Sequence, residues 1–181
     1  MPKKVVLFIA SSLDGFIAKK NGDVSWLFTD QDYGFKKFMR TVDSAVMGRK
    51  TYDFAVKYSN PPFAGIKNFI VTNNKKLRKS SSGNLIFCSL NDVLKFVKTE
   101  KGKKSVFLVG GTGLIAEFIN RGLLREIRVF IHPILLGEGI PLFKGIKKEL
   151  KLKHAGSKSF SSGLVEVRYF TNVIPAKAGI R

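Results

Sequence analysis

The sequence predicts an α/β domain of three layers: a central, mostly parallel mixed sheet, helices on both faces, and a C-terminal antiparallel hairpin. Continuous apolar runs such as Val5 to Ser11 and Ser105 to Val109 read as strands buried on both faces. They alternate with segments whose apolar residues recur at helical spacing, the order that builds a parallel sheet. The last two strand-like runs, Leu150 to His154 and Leu164 to Phe170, have no helix between them and read as a hairpin at the sheet edge.

Each element follows in turn. Val5 to Ser11 is preceded by Lys3 and Lys4, which gives the start the look of a secretion signal. The run is short, however, and ends at Asp14-Gly15 with no small-residue cleavage site, so it reads as a first strand. A polar loop with Asn21-Gly22-Asp23 follows. Phe35, Phe38, Met39 and Val42 then predict a helix from about Asp32 to Thr41. Ser44 to Met47 is a short strand that runs into Gly48-Arg49-Lys50-Thr51 and a helix. Asn68 to Thr72 and Leu85 to Cys88 are further strands. Ser89 is an N-cap for a helix with Leu90, Val93, Leu94 and Val97 on its apolar face. The strand Ser105 to Val109 ends in Gly110-Gly111-Thr112-Gly113. The helix after it carries Leu114, Ile115, Phe118 and Ile119 on one face and stops at Gly122. Arg125 to His132 alternates as a strand, with Ile127, Val129 and Ile131 on one side, and Pro133 to Phe143 is a loop.

Length and composition bound the function. A chain of 181 residues suits one domain with a sizeable core. That domain is expected over residues 1–171, and the aperiodic tail 172–181, with Pro175 and Gly179, is expected to be disordered. No apolar run is long enough to span a bilayer, so a cytoplasmic protein is expected. The single cysteine, Cys88, rules out an intramolecular disulfide and a cysteine-rich metal site. His132 and His154 lie apart and read as strand residues, so no metal is expected. The formal charge of +19 attracts polyanions, and nucleic acid must be weighed. The cations are scattered as pairs such as Lys36-Lys37 and Lys103-Lys104, which favours a solvated basic surface over a nucleic-acid stripe.

Three segments could carry chemistry. Gly110-Gly111-Thr112-Gly113-Leu114-Ile115 sits at a strand-to-helix junction, where glycines let backbone approach a phosphate and a helix start offers free N–H groups. The same residues equally suit a tight turn with close helix packing. Gly48-Arg49-Lys50-Thr51 repeats the arrangement, with two cations and a hydroxyl suited to phosphates. Two such turns at the carboxyl ends of parallel strands mark where open α/β sheets bind ligands. The third segment is Ser11-Ser-Leu-Asp-Gly-Phe-Ile-Ala18, followed by a loop with Trp26 and Leu27; it reads as a lid or as a plain turn beside a core Trp.

Taken in order, Ser12-Leu-Asp-Gly-Phe-Ile-Ala18, Asn21-Gly-Asp-Val-Ser-Trp-Leu27, Met47-Gly-Arg-Lys-Thr-Tyr52, Val109-Gly-Gly-Thr-Gly113 and Pro133-Ile-Leu-Leu-Gly-Glu-Gly-Ile-Pro-Leu-Phe143 resemble the dihydrofolate reductase superfamily. The branch they most resemble is the RibD C-terminal reductase domain with its small stand-alone relatives. The resemblance implies the dihydrofolate-reductase-like fold and an NADPH-dependent reductase acting on a small pyrimidine-like, pterin-like or carbonyl substrate. It implies that Ala10 and Ile17 flank the nicotinamide. Gly48, Arg49, Lys50 and Thr51 would hold the pyrophosphate and 2′-phosphate, and Thr72 and Asn73 the adenosine end. Gly110, Gly111, Thr112, Gly113, Leu114 and Ile115 would run beneath the pyrophosphate, with a cis peptide at Gly110–Gly111. Trp26, Leu27, Phe35 and Tyr52 would line the substrate pocket, with Leu136 and Gly137 closing it.

The catalytic candidates are Asp30, Gln31 and Trp26. Gln31 falls where true dihydrofolate reductases carry an acid, and a neutral amide cannot supply the same proton. The substrate-phosphate motif of the RibD branch is replaced by Met47-Gly-Arg-Lys-Thr. A homodimer is implied by the resemblance. The competing readings are a cofactor-binding relative without catalysis and a basic nucleic-acid-binding protein.

Overall fold

The computed structural model describes residues 3–171. The first strand, β1 (Val5–Ser12), sends Val5, Leu7 and Ile9 to one face of the sheet and Val6 and Phe8 to the other. Both faces are covered, which is why the run lacks polar alternation. β2 (Phe16–Ala18) follows a tight turn.

The first helix, α1, covers only Phe35–Met39, less than the expected Asp32 to Thr41. Tyr33 (φ 49°) and Gly34 (φ 85°) are both left-handed, and a right-handed helix cannot run back through them. β3 (Val42–Gly48) is longer than expected, because Asp43 interrupts the apolar run in sequence yet pairs with Lys3 in the fold.

Next come α2 (Arg49–Ala55), β4 (Lys67–Val71), the one-turn α3 (Lys75–Arg78) and β5 (Leu85–Cys88). α4 (Leu90–Thr99) starts in a capping box: the Ser89 side chain accepts from the Asp92 amide while the Asp92 carboxylate accepts from the Ser89 amide. Its Val93, Leu94 and Val97 are buried, each worth about 1.5–3 kcal/mol of transfer energy.

β6 (Ser105–Gly110), α5 (Thr112–Asn120) and β7 (Leu124–His132) complete the alternation. The expected loop from Pro133 to Phe143 contains a two-residue strand, β8 (Ile140–Pro141), that pairs with β2 in a separate small sheet. The hairpin is β9 (Leu152–Ser159) and β10 (Val165–Thr171). β9 runs five residues past His154 because its Ala-Gly-Ser-Lys-Ser end is too small and polar to signal a strand, and it forms the exposed sheet edge.

The main sheet has the order β5-β4-β3-β6-β1-β7-β10-β9. Strands β5 to β7 in that order run parallel, and β10 and β9 join antiparallel. Helices α4 and α5 pack on one face, against Leu7, Val46, Leu108 and Ile127. Phe35, Phe38 and Met39 of α1 and Tyr52 of α2 pack on the other, against Phe8, Met47 and Phe107. The carboxyl ends of β1, β3, β4 and β6 therefore open onto one edge of the sandwich. The tail 172–181, expected to be disordered, lies outside the described residues. Among the described residues no helix is long and apolar enough to cross a membrane.

Candidate active site

β3 and β6 are neighbours in the sheet, with Met47 opposite Gly110. Each strand passes directly into a helix, α2 after Gly48 and α5 after Gly111, so two helix starts lie side by side. A Cβ placed on Gly48 would sit 3.8 Å from Gly111 N and 3.9 Å from Gly110 O. One placed on Gly111 would sit 3.6 Å from Thr51 Oγ1. A methyl group at either position would be in ordinary van der Waals contact with the opposite turn, so the two turns lie within one side chain's reach of each other. Neither helix start is capped by a side chain, so their first N–H groups are available to an outside acceptor. The Gly110–Gly111 peptide is cis, as the resemblance implied.

This seam fits a diphosphate: glycine backbone on two sides, uncapped amides at both helix starts, the Thr51 hydroxyl beside Gly111, and Arg49 and Lys50 at the rim. Lys50 is exposed. Arg49 is partly exposed and donates from Nε to Asp53 Oδ1 at 2.6 Å. Thr112 donates its hydroxyl to the Pro141 carbonyl at 2.6 Å. Gly113 is exposed, Leu114 packs partly buried, and Ile115 is fully buried and lends packing and backbone only. Thr72 is buried just past β4, where its amide donates to the Cys88 carbonyl and its hydroxyl accepts from the Asn74 amide; Asn73 is exposed. Ala10 is half-buried opposite Phe130, and Ile17 packs against the same cluster as Ile9.

On the substrate side, Phe35 and Tyr52 join one aromatic cluster: Phe35 lies 5.5 Å from Phe8 and Tyr52 lies 5.3 Å from Phe87. Trp26 stands edge-on to His132 at 5.2 Å. Its indole Nε1 is buried and has no acceptor among the described residues. His132 Nε2 accepts from the Phe28 amide at 3.2 Å and Nδ1 faces the Phe130 carbonyl at 3.2 Å, so the ring is neutral with its proton on Nδ1. Burial pushes its pKa below the usual histidine value. Leu27 is half-buried, with its amide on the Val24 carbonyl. The amides of Leu136 and Gly137 both donate to the Asp14 carboxylate, Gly137 at 2.7 Å. The Ser12 hydroxyl, with those amides, holds Asp14 below the usual carboxylate range.

Asp30 and Gln31 lie on an exposed loop. The Tyr33 hydroxyl donates to Asp30 at 2.5 Å and lowers its pKa, so Asp30 is a carboxylate at neutral pH. Gln31 donates weakly to the same carboxylate at 3.4 Å. The arrangement thus unites the two phosphate-type turns and gathers Phe35 with Tyr52, but it leaves both polar catalytic candidates in solvent.

The RibD C-terminal domain family matches residues 3–166. The chain belongs to that family. Its curated relative YyaP of Bacillus subtilis (strain 168), an uncharacterized protein, is 37% identical over 94% of this chain and 96% of its own length. A Shewanella sp. PV-4 structure, provisionally named for riboflavin biosynthesis, is 28% identical with TM-score 0.78 and covers 94% of this chain and 99% of that one. The deaminase/5-amino-6-(5-phosphoribosylamino)uracil reductase of Thermotoga maritima superposes with TM-score 0.73 at 18% identity, over 94% of this chain and 57% of that one. Dihydrofolate reductase of Enterococcus faecalis, complexed with NADP(H), superposes with TM-score 0.70 at 16% identity, over 93% and 96%. The last two show the fold, which is dihydrofolate-reductase-like, and the family is of reductase type.

This RibD C-terminal domain also contains site-shaping residues that the sequence reading passed over. His132 pins the Trp26–Phe28 segment to β7, and the signal available was its alternation with Phe130 on one face of the strand. Asp14, in the segment that reads as a lid or a plain turn, fastens the loop after β7. No local pattern marks that contact, since its partners are backbone amides 122 and 123 residues away.

Proposed function

We propose that the protein is an NADPH-dependent reductase that delivers hydride to a small pyrimidine-like, pterin-like or carbonyl substrate. The reading rests on the seam between Gly48–Thr51 and Gly110–Gly111. Its amides and the Thr51 hydroxyl would hold the pyrophosphate, and Arg49 and Lys50 would meet the 2′-phosphate. Thr72 and Asn73 would border the adenosine, and Ala10 and Ile17 the nicotinamide. Bound NADPH supplies the hydride. Around the substrate, Phe35 and Tyr52 provide an apolar wall, Leu27, Leu136 and Gly137 border it, and the buried Trp26 N–H offers a donor to a ring nitrogen or carbonyl oxygen. Asp30 and Gln31 would act at the pocket mouth as acceptor and donor. A cytoplasmic homodimer belongs to the same reading.

Cofactor binding is the first test. Thermal shift and Trp26 fluorescence should respond to NADPH far more than to NADH. Arg49→Ala should weaken NADPH about tenfold or more, as expected for losing a charge-assisted contact of about 1.5–3 kcal/mol, and leave NADH unchanged. No response to either cofactor would sink the proposal. One observation favours a second reading, a cofactor-binding relative without catalysis: Asp30 is deprotonated and exposed, so it does not donate a proton at neutral pH. NADPH binding without oxidation across a panel of pterins, pyrimidines and carbonyl compounds would favour that alternative.

A further inference from the structure

A cavity of about 400 Å³ lies between α1 and the β9–β10 hairpin, on the face of the sheet that carries Phe8 and Phe130. None of its lining residues is a candidate cofactor or substrate residue. Its apolar side is lined by the partly buried Phe8 and Phe160 and by the buried Phe38 and Phe130; Phe8 stacks on Phe38 at 4.5 Å and meets Phe130 at 4.3 Å. The edge strand β9 contributes Ala155, Gly156 and Ser157 to the lining, and a Cβ added at Gly156 would meet nothing within 4 Å. The space exists because β9 presents small residues where larger ones would fill it.

The polar lining is one-sided. Lys37, Arg128, Lys158 and Arg168 face the cavity, with Glu166 as the acidic group among them. Arg128 and Arg168 each donate Nε to Glu126 Oε1, at 2.7 and 2.6 Å, and Lys4 pairs with the other oxygen. Glu126 therefore neutralises one of three converging cations. Lys158 lies 4.5 Å over the Phe160 ring, and neither it nor Lys37 forms an ion pair among the described residues.

The wall beside α1 contains Tyr33, the one non-glycine residue with positive φ among the described residues. Its hydroxyl contacts Asp30 and Ser162, and its ring packs edge-on to Phe160 at 4.9 Å. A bulky residue keeps that backbone conformation only where its surroundings enforce it, and such residues cluster at ligand sites.

We propose that this cavity binds a flat, ring-bearing anion, a phosphate or carboxylate carried on an aromatic or heteroaromatic ring, at a site separate from the reductase seam. The ring lies against the phenylalanine surface, and the anionic group meets the lysines and guanidinium groups. The volume is near the low end for small-molecule pockets, with room for one ring system and one anionic group. A second copy seated here is disfavoured, because a two-fold contact would set this cationic lining against itself.

The test is calorimetric titration of the full chain with 1-naphthyl phosphate, with 1-naphthol and inorganic phosphate as controls, in the absence and presence of NADPH. We expect one site at least about tenfold tighter than either control, unchanged by NADPH or by Arg49→Ala. The double variant Lys37→Glu, Lys158→Glu should weaken it about tenfold or more without lowering the melting temperature. Binding abolished by NADPH assigns the ligand to the seam and overturns the proposal. So does binding as tight for either control, binding indifferent to the two lysines, or a dimer in sedimentation that those variants dissolve while the probe never binds. A protein that ignores NADPH yet passes this titration keeps the cavity and loses the reductase reading.

Discussion

Glu126 has a side chain only 1% exposed and takes hydrogen bonds from Lys4, Arg128 and Arg168. Burial alone would raise its pKa, but the three donors together outweigh burial and lower it. Because its folded pKa is depressed, its stabilising contribution is complete above the unfolded value and is lost as pH falls through the folded one. Glu126→Gln should cost about 3 kcal/mol, the low end for breaking a buried pair, since its cationic partners keep access to solvent. Urea denaturation at neutral pH measures this. His132 works the other way round in charge and the same way in pH. It is held neutral in the fold, so the unfolded chain binds more protons below about pH 6.5, and stability falls as pH drops through that value. The urea midpoint should rise from about pH 5 to about pH 7, and His132→Gln should flatten that rise.

Among the elements, α4 and α5 were plain in the sequence because each shows a cap or breaker and an unbroken apolar face. Ser89→Ala should lower stability by about 1 kcal/mol, visible as a lower melting temperature, because it removes half of the capping box. The adjoining turns at Gly48 and Gly111 were each legible alone. Their approach was not, since it depends on β3 lying next to β6, two strands separated in the chain by α2, β4, α3, β5 and α4. Gly111→Ala should fit the seam, whereas Gly111→Val should fill it and abolish the NADPH thermal shift with the far-ultraviolet circular dichroism preserved. The truncated α1 and the strand β8 escaped sequence reading for a shared reason. Helical spacing of Phe35, Phe38 and Met39 does not report the left-handed Tyr33 before them, and a two-residue pairing leaves no periodicity at all.

At the scale of the whole molecule, a formal charge of +19 sets the long-range field. That excess, 32 Lys and Arg against 13 Asp and Glu, is what remains after every acidic side chain is counted, so internal ion pairing cannot cancel it. Self-repulsion of that size destabilises the compact state and weakens as salt shortens the Debye length from about 30 Å at 0.01 M to about 10 Å at 0.1 M. The melting temperature should therefore rise over that salt range, and a flat or falling profile would show that local pairs dominate instead. The sheet order carries a different consequence. β1 is flanked by β6 and β7, whose residues begin at Ser105 and Leu124. A nascent chain thus exposes this largely apolar strand while more than ninety further residues are added before either flanking partner exists, so closure of the sheet waits on pairings between segments made far apart in time.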